Sequence, residues 1–288
     1  MKRAALLPAA LLALAGCAAA NTQGPAPAPG PDAEYVRQFI RAEAAGLPFA
    51  PITDTAPNAD MAAAYRLQSA LAADRAARGD RAAGYKGGLM SAASMKTRGV
   101  AHPLVGVLFA SGAAQSGGAI SLCGYRKASF ELKLGFVFSR RVTALPDSPE
   151  ALARSVSAVV PVIDLPDIAY RDPDHYGAVD MVAANISAAR YVKGRRASPA
   201  ATDLDALRVT IARDGQPLTS GLGRESMENQ WASLLAVTRE IIATGRSIAP
   251  GQLVLTGKIG DRGWLPAGAY RADYGPLGTV DFTVKPCA

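Results

Sequence analysis

Two residues of opposite charge, Glu131 and Lys133, alternate with apolar residues, and a third charged residue, Asp164, ends another apolar run. The alternation over 130–136 predicts a strand in which residues 131 and 133 share one face. The apolar run over 157–165 predicts a second strand. An ammonium group beside carboxylates can hold a ligand that itself carries a carboxylate. Taken alone, however, the Glu131/Lys133 pair is more typical of a solvated strand face than of a pocket.

Lys86 is followed directly by two glycines, Gly87 and Gly88, in a short segment predicted to be extended. Because glycine lets another backbone or a ligand approach closely, Lys86 is a candidate pocket residue. The alternative is a surface lysine. Ser187 is a further polar candidate, and its alternative is the hydroxyl of a cap or turn.

Several other kinds of site are not expected. The chain has two histidines, and neither Cys123 nor Cys287 belongs to a CxxC pair, so we expect no zinc site and no Cys/His dyad. These two cysteines leave open either a disulfide or two separate buried thiols. The formal net charge of +7 is carried by scattered lysines and arginines, which predicts no nucleic-acid partner and at most a mild attraction to anionic molecules.

The elements that must position the candidate residues are helices first and strands later. Helical periodicity predicts helices over 32–45, 59–78 and 225–244. The Asp214-Gly215 turn predicts a hairpin over 207–218. This order indicates an α+β fold, and not the alternating strands and helices of a doubly wound sheet. With 49% hydrophobic residues, a domain over 32–288 can bury a sizeable core.

The N-terminal residues follow a different pattern. Met1-Lys2-Arg3 precedes an apolar run over 4–15 that is too short to span a bilayer, as is typical of a secretory signal. Leu14-Ala15-Gly16-Cys17 is similar to the lipobox of bacterial lipoproteins, which predicts cleavage before Cys17 and lipidation of that cysteine. Residues 18–31, rich in alanine and proline, are predicted to be a flexible tether. The alternative for residues 1–17 is an ordinary signal peptide that contains a cysteine.

These features predict a protein of the periplasm that is held to a membrane by a lipid anchor. Ala18, rather than aspartate, follows the lipidated cysteine, and by the usual sorting rule for lipoproteins this favours the outer membrane. Several acyl chains on one residue make a stable anchor.

A series of motifs extends over most of the remaining chain. They are Tyr65-Arg66-Leu67-Gln68, Gly84-Tyr85-Lys86-Gly87-Gly88-Leu89, residues 180–187, residues 250–257 and residues 274–280. In order and spacing they resemble the 2-keto-4-pentenoate hydratase branch of the fumarylacetoacetase superfamily, which also includes 4-oxalocrotonate decarboxylases. The resemblance implies a mixed β-roll or sandwich, like the C-terminal domain of fumarylacetoacetase, with helices at the N-terminus.

The same resemblance implies a Mg²⁺ or Mn²⁺ ion held by three carboxylates, two from a Glu-x-Glu strand and one from a later strand. Such an ion binds the carboxylate and 2-oxo group of a small keto acid and polarises them. The resemblance also places Lys86 and Ser187 among the catalytic residues, and Leu89 and Asn185 among the substrate-binding residues.

The predicted metal ligands are where this chain departs from the family pattern. The Glu-x-Glu strand is Glu131-Leu132-Lys133, and the third acid falls at Asp164, where the family usually has glutamate. Glu131 and Asp164 remain candidate metal ligands. Lys133 is expected to pair with both acids in the place of the cation and to act as a third catalytic residue. Because hard cations need several oxygen ligands, we expect weak binding of either metal.

Three functions therefore remain open. The first is a hydratase-like lyase acting on a small 2-keto or 2-hydroxydienoic acid. The second is a non-catalytic periplasmic lipoprotein that binds a small carboxylate and has lost the metal. The third is an envelope protein that binds partners, or a second copy as a homo-oligomer, through the family's oligomeric surface. The resemblance favours the first, and the residue chemistry favours the second almost as strongly.

Overall fold

The computed structural model describes residues 31–172, 175–200 and 202–287. The predicted signal segment 1–17, with its lipidation site Cys17, and nearly all of the predicted tether 18–31 lie outside the described residues. Within the described residues, no helix is both long and apolar enough to cross a membrane.

The helices lie mainly at the start of the domain, as the hydrophobic pattern predicts. Their bounds are α1 Pro31–Ala44, α2 Met61–Ala77, α3 Ala92–Thr97, α4 Pro149–Ala153, α5 Ala178–Ala183 and α6 Gln230–Ala243. The predictions for α1 and α2 are confirmed to within two residues. At the start of α2, the side chain of Asp60 accepts a hydrogen bond from the amide of Ala63, which satisfies an otherwise unpaired helix donor.

The prediction for α6 placed its start five residues too early, at 225. Met227 and Glu228 adopt left-handed backbone conformations, with φ of 54° and 63°, and such residues cannot belong to a right-handed helix. Asn229 instead caps the helix, because its side chain accepts a hydrogen bond from the amide of Ala232.

The strands form two sheets. Their bounds are β1 Ala82–Gly88, β2 Leu104–Phe109, β3 Ala113–Gln115, β4 Ala119–Ser121, β5 Ser129–Phe138, β6 Val156–Leu165, β7 Arg190–Lys193, β8 Arg208–Arg213, β9 Gln216–Leu222, β10 Leu253–Leu255, β11 Ile259–Trp264, β12 Gly268–Asp273 and β13 Thr279–Lys285. The larger sheet has the order β2-β1-β10-β5-β6-β7-β3, and β11 also pairs with β5. The smaller sheet has the order β4-β13-β12-β8-β9.

The β8–β9 pair is the predicted hairpin, with Asp214 and Gly215 at its turn. Both turn residues have positive φ, 50° and 80°, as a two-residue turn that matches the strand twist requires. The β9 strand runs to Leu222, beyond the predicted end of the hairpin at residue 218.

The main core joins residues of both sheets with the inner face of α6. Its members are aromatic and aliphatic side chains that are almost fully buried, including Phe130, Phe136, Leu234, Tyr270 and Phe282. A second cluster packs α2 and α5 against β2. The prediction of an α+β fold with N-terminal helices is confirmed.

Cys123 and Cys287 form a disulfide, with their Cα atoms 4.6 Å apart. The bond joins the segment after β4 to the residues after β13, and these two strands pair in parallel. The cross-link closes a loop of chain with a sequence separation of 164 residues, and it therefore fixes the end of the domain to its middle.

Candidate active site

Strand pairing brings the three charged candidates of β5 and β6 together. Glu131 lies directly opposite Asp164 in the antiparallel β5–β6 pair, and Lys133 is two residues farther along β5 on the same face. Directly opposed residues on antiparallel strands point to the same side of the sheet, so the two carboxylates face the same space.

Lys86 reaches this cluster from β1, which is separated from β5 by the short strand β10. Its Nζ lies 2.6 Å from Oδ2 of Asp164, and the two side chains are 3% and 0% exposed. Neither oxygen of Asp164 meets hydrogen-bond geometry with any described residue, so this close contact is a poorly directed ion pair. Asp164 is held here by charge, not by a network of hydrogen bonds.

Lys133 sits between the two acids, with its Nζ 3.3 Å from Oε2 of Glu131 and 3.9 Å from Oδ2 of Asp164. The same nitrogen donates hydrogen bonds to the backbone carbonyls of Gly87, at 3.0 Å, and Thr256, at 3.2 Å. An ammonium has three hydrogens, and the two carbonyls and Glu131 take all three. The ammonium of Lys133 is therefore engaged by groups of the protein, and the catalytic role predicted for it stays a prediction.

Glu131 is more accessible than Asp164, with 20% of its side chain exposed. Burial, the largest influence, raises the pKa of Glu131, but the ammonium groups of Lys133 and Lys86 together outweigh it, so the pKa lies below its ordinary value. Glu131 is therefore ionised at neutral pH and can accept a proton.

These side chains border a cavity of about 230 Å³. Lys86, Lys133 and Glu131 are on its wall, whereas the buried carboxylate of Asp164 is not. The wall also carries three further cationic residues and a group of apolar and small residues that includes Leu89, Met90, Ile186 and Ser187. The three further cationic residues are Arg98, Lys258 and Arg262. The wall carries more positive than negative groups, which suits an anionic ligand.

The segment that carries Asn185 and Ser187 is a left-handed turn, with φ of 54°, 43° and 57° at residues 185–187. Gly106 lets this turn lie against β2, because a Cβ there would come within 2.4 Å of Cγ1 of Ile186. The turn places Ser187 on the cavity wall, as the prediction of a pocket residue requires.

Asn185, predicted to bind substrate, does not line the cavity. Its side-chain oxygen accepts a hydrogen bond from the amide of Val107, and its side-chain nitrogen donates one to the carbonyl of the same residue. Both polar atoms are thus used to hold the turn against β2. In the structure Asn185 supports the turn that carries Ser187, and its predicted contact with substrate stays a prediction.

The residues present do not fit a divalent cation. The predicted ligands Glu131 and Asp164 supply two carboxylates, and the position of the third ligand is filled by the ammonium of Lys133. Within the part of the chain that the structure describes, no group of three His, Cys, Asp or Glu side chains could hold a metal ion. Mg²⁺ requires about six oxygen ligands at about 2.0–2.1 Å, and a fixed ammonium among them opposes its binding.

Arg98, Lys258 and Arg262 were missed by the sequence reasoning. Arg98 donates a hydrogen bond to the carbonyl of Tyr176 and lies over its ring, and Arg262 lies over the ring of Trp264. Lys258 follows the 250–257 motif directly, which was the one signal that could have pointed to it. The other two come from segments whose approach to the cavity depends on tertiary packing.

The chain is similar to several characterised proteins, although a scan against protein-family models finds no match. It is 33% identical over 253 residues to a 2-keto-4-pentenoate hydratase from Burkholderia vietnamiensis, covering 87% of this chain and 96% of that one. It is 29% identical over 221 residues to a 4-oxalocrotonate decarboxylase from a Pseudomonas species, covering 76% of this chain and 85% of the relative.

Solved structures show the same fold. A 4-oxalocrotonate decarboxylase from Pseudomonas putida G7, complexed with magnesium and adipate, superimposes with a TM-score of 0.84 at 23% identity. The match covers 88% of this chain and 97% of that chain. A yeast fumarylacetoacetate hydrolase family protein matches with a TM-score of 0.54 at 16% identity, over 73% of this chain and 94% of its own.

Proposed function

Because the chain belongs to the 2-keto-4-pentenoate hydratase family, we propose that it is a hydratase-like lyase acting on a small 2-keto or 2-hydroxydienoic acid. Family membership rests on the 33% identity that extends over 96% of the Burkholderia relative. The observation that carries the proposal in this chain is that the Lys86 ammonium and the Glu131 carboxylate both lie on the wall of one cavity.

The reaction adds water to a 2-hydroxy-2,4-dienoic acid. The 2-hydroxyl group loses its proton while C5 gains one, which leaves a 2-oxo-3-enoic acid. The oxygen of water then bonds to C4, and C3 takes a proton, so that one water is consumed and a 4-hydroxy-2-oxo acid is formed. Negative charge develops on the C2 oxygen in both steps, and a nearby fixed positive charge lowers the energy of each transition state.

Lys86 is the residue placed to supply that charge. Among the described residues its ammonium has one ion-pair partner, Asp164, so N–H groups remain for a ligand in the cavity. Asp164 holds the ammonium from the buried side of the site. Glu131, ionised and partly exposed, is placed to take a proton from water or from the 2-hydroxyl group and to return it to carbon.

The excess of positive charge on the cavity wall supports a substrate that carries a carboxylate. Arg98, Lys258 and Arg262 lie on this wall together with Lys86. Cationic side chains around a concave site attract anionic substrates and raise their local concentration. We therefore propose that these residues bind the carboxylate end of the acid and orient its 2-oxo group.

The test is an assay of the purified chain with 2-hydroxypenta-2,4-dienoate, followed by the loss of dienoate absorbance. We expect turnover, and we expect Lys86→Met to lower it about 100-fold or more. Lys193→Met is the matched control, since Lys193 is a partly buried lysine on β7 outside this cavity, and its turnover should stay unchanged. A folded chain that binds the dienoate without turning it over would instead establish the non-catalytic carboxylate-binding function.

We propose further that the protein is a lipoprotein of the periplasm, lipidated at Cys17 and held at the outer membrane. The signal-like residues 1–17 and the tether-like residues 18–31 support this. A Cys123–Cys287 disulfide is compatible with an oxidising compartment. In cells, the protein should label with radioactive fatty acid and fractionate with membranes, and Cys17→Ser should abolish both.

A further inference from the structure

Lys133 is surrounded by the kind of ligands that usually surround a metal ion. Two carboxylate oxygens, from Glu131 and Asp164, lie 3.3 and 3.9 Å from its Nζ. Two backbone carbonyl oxygens, from Gly87 and Thr256, lie at 3.0 and 3.2 Å. Carboxylate and carbonyl oxygens are the donors that hard cations prefer, yet here they converge on a nitrogen.

The hydrogen bonds fix Lys133 in this position. Its side chain is 2% exposed, and its carbonyl partners lie on two different segments, the end of β1 and the residue that follows β10. A lysine that moved away would leave two buried carbonyls without a donor, and unpaired buried polar groups are costly. The ammonium is therefore a permanent part of the site and does not leave to admit a metal ion.

The charges of the cluster balance without any added ion. Lys86 and Lys133 supply two positive charges, and Glu131 and Asp164 supply two negative charges. A divalent cation would have to enter a neutral cluster in which an ammonium already takes the shared space between the carboxylates. Coulomb repulsion at such short distances, in a buried site, opposes that entry.

We propose that Lys133 is a built-in cation that replaces the divalent metal of this site, so that the protein is complete without Mg²⁺ or Mn²⁺. Its ammonium lies between the carboxylates of Glu131 and Asp164 and holds Asp164 in place beside Lys86. Lys133 thus acts as a positioning residue, while Lys86 is the residue that contacts the substrate. This deepens the proposed function, but it concerns the binding of metal and is tested apart from turnover.

The proposal predicts that one substitution converts the site into a metal site. Lys133→Glu removes the ammonium and adds a third carboxylate facing Glu131 and Asp164. Isothermal titration of the chelator-treated full chain with MnCl₂ and MgCl₂ should detect no binding to the wild type up to about 1 mM. It should detect binding to Lys133→Glu with a Kd at least about 100-fold below that limit.

Two control variants isolate the cause. Lys133→Met removes the ammonium without adding a ligand and should not bind either metal tightly. Lys193→Glu makes the same change of charge outside the site and should not gain binding. Circular dichroism confirms that each variant is folded before titration.

Tight binding of Mg²⁺ or Mn²⁺ by the wild type would overturn the proposal, and so would a folded Lys133→Glu that binds neither. If Lys133→Glu does not fold, electron paramagnetic resonance can measure free Mn²⁺ in the presence of the wild-type chain. This measurement shows whether the wild type binds the metal. Undiminished free Mn²⁺ supports the built-in cation, and depleted free Mn²⁺ overturns it. Failure of the dienoate assay leaves these titrations unaffected, so the two proposals fail separately.

Discussion

Two buried aspartates, Asp164 and Asp167, lie three residues apart and are held in opposite ways. Asp167 accepts hydrogen bonds from the backbone amides of Arg126 and Lys127 and from the guanidinium group of Arg126. Asp164 has two ammonium neighbours and, among the described residues, no well-directed hydrogen bond. Both carboxylates are almost completely removed from water.

The difference separates a structural charge from a functional one. The partners of Asp167 belong to the segment that enters β5, so its hydrogen bonds fix the path of the backbone. The partners of Asp164 are side chains on the cavity wall, Lys86 and Lys133, so its charge fixes the electrostatics of the site. A buried acid without directed hydrogen bonds is unusual in a structural role, and it is common where chemistry is done.

Replacing each aspartate by asparagine should have the largest effects on turnover and stability. Asp164→Asn removes the carboxylate that, among the described residues, forms an ion pair with Lys86, and it should lower turnover about 100- to 1,000-fold. It should also lower the free energy of unfolding by about 3–5 kcal/mol, because two buried ammonium groups lose a partner. The measurements are turnover per folded molecule and denaturant unfolding.

Asp167→Asn is the matched control for that experiment. It should lower the free energy of unfolding by a similar amount, about 3 kcal/mol, because the buried guanidinium of Arg126 loses its partner. Turnover per folded molecule should stay within about threefold of the wild type. Equal losses of turnover in the two variants would show that the distinction between the aspartates is wrong.

Loss of the disulfide, like loss of the Asp167 carboxylate, should lower stability without lowering turnover. Cys123 lies just ahead of Arg126, and the cross-link closes a long loop, with a sequence separation of 164 residues. The double substitution Cys123→Ala and Cys287→Ala should therefore lower the free energy of unfolding by about 2–4 kcal/mol. Chemical denaturation measures this loss, and kcat at a temperature where both forms are folded should be unchanged. A fall in kcat would place the disulfide in the functional region.

The smallest expected effect is at the rim of the cavity. Arg262 is exposed and lies beside the ring of Trp264, so its charge is screened by water. Arg262→Gln should raise KM about three- to fivefold with little change in kcat, and the effect should fade at high salt. Steady-state kinetics at two ionic strengths test this. A decrease in kcat instead would show that Arg262 contributes to the chemical step and not only to substrate binding.

The sequence predicted the parts of the site that depend on side-chain type and strand periodicity. The shared face of Glu131 and Lys133 follows from a period of two. Their meeting with Asp164 was implied by the family resemblance and not by periodicity, and in the structure it results from the pairing of β5 with β6. The α+β fold and the first two helices follow from hydrophobic periodicity in the same way.

The remaining features could not be predicted, because backbone groups carry no signature in the sequence. The carbonyls of Gly87 and Thr256 determine that Lys133 has no free donor, and every residue has a carbonyl. Asn185 was predicted to bind substrate from the family resemblance, but its bonds to Val107 depend on how closely the turn meets β2. Asp167 was not predicted as a site residue, although its hydrogen bonds fix the backbone segment that leads into the site.

If a lysine replaces the metal of a hydratase-like site, the protein should turn over its substrate without any divalent ion. The wild-type chain is treated with excess EDTA, freed of the chelated ions, and assayed with 2-hydroxypenta-2,4-dienoate before and after addition of MgCl₂ or MnCl₂. We expect the same kcat in all three conditions. Turnover that appears only after a divalent ion is added would show that Lys133 does not replace the metal.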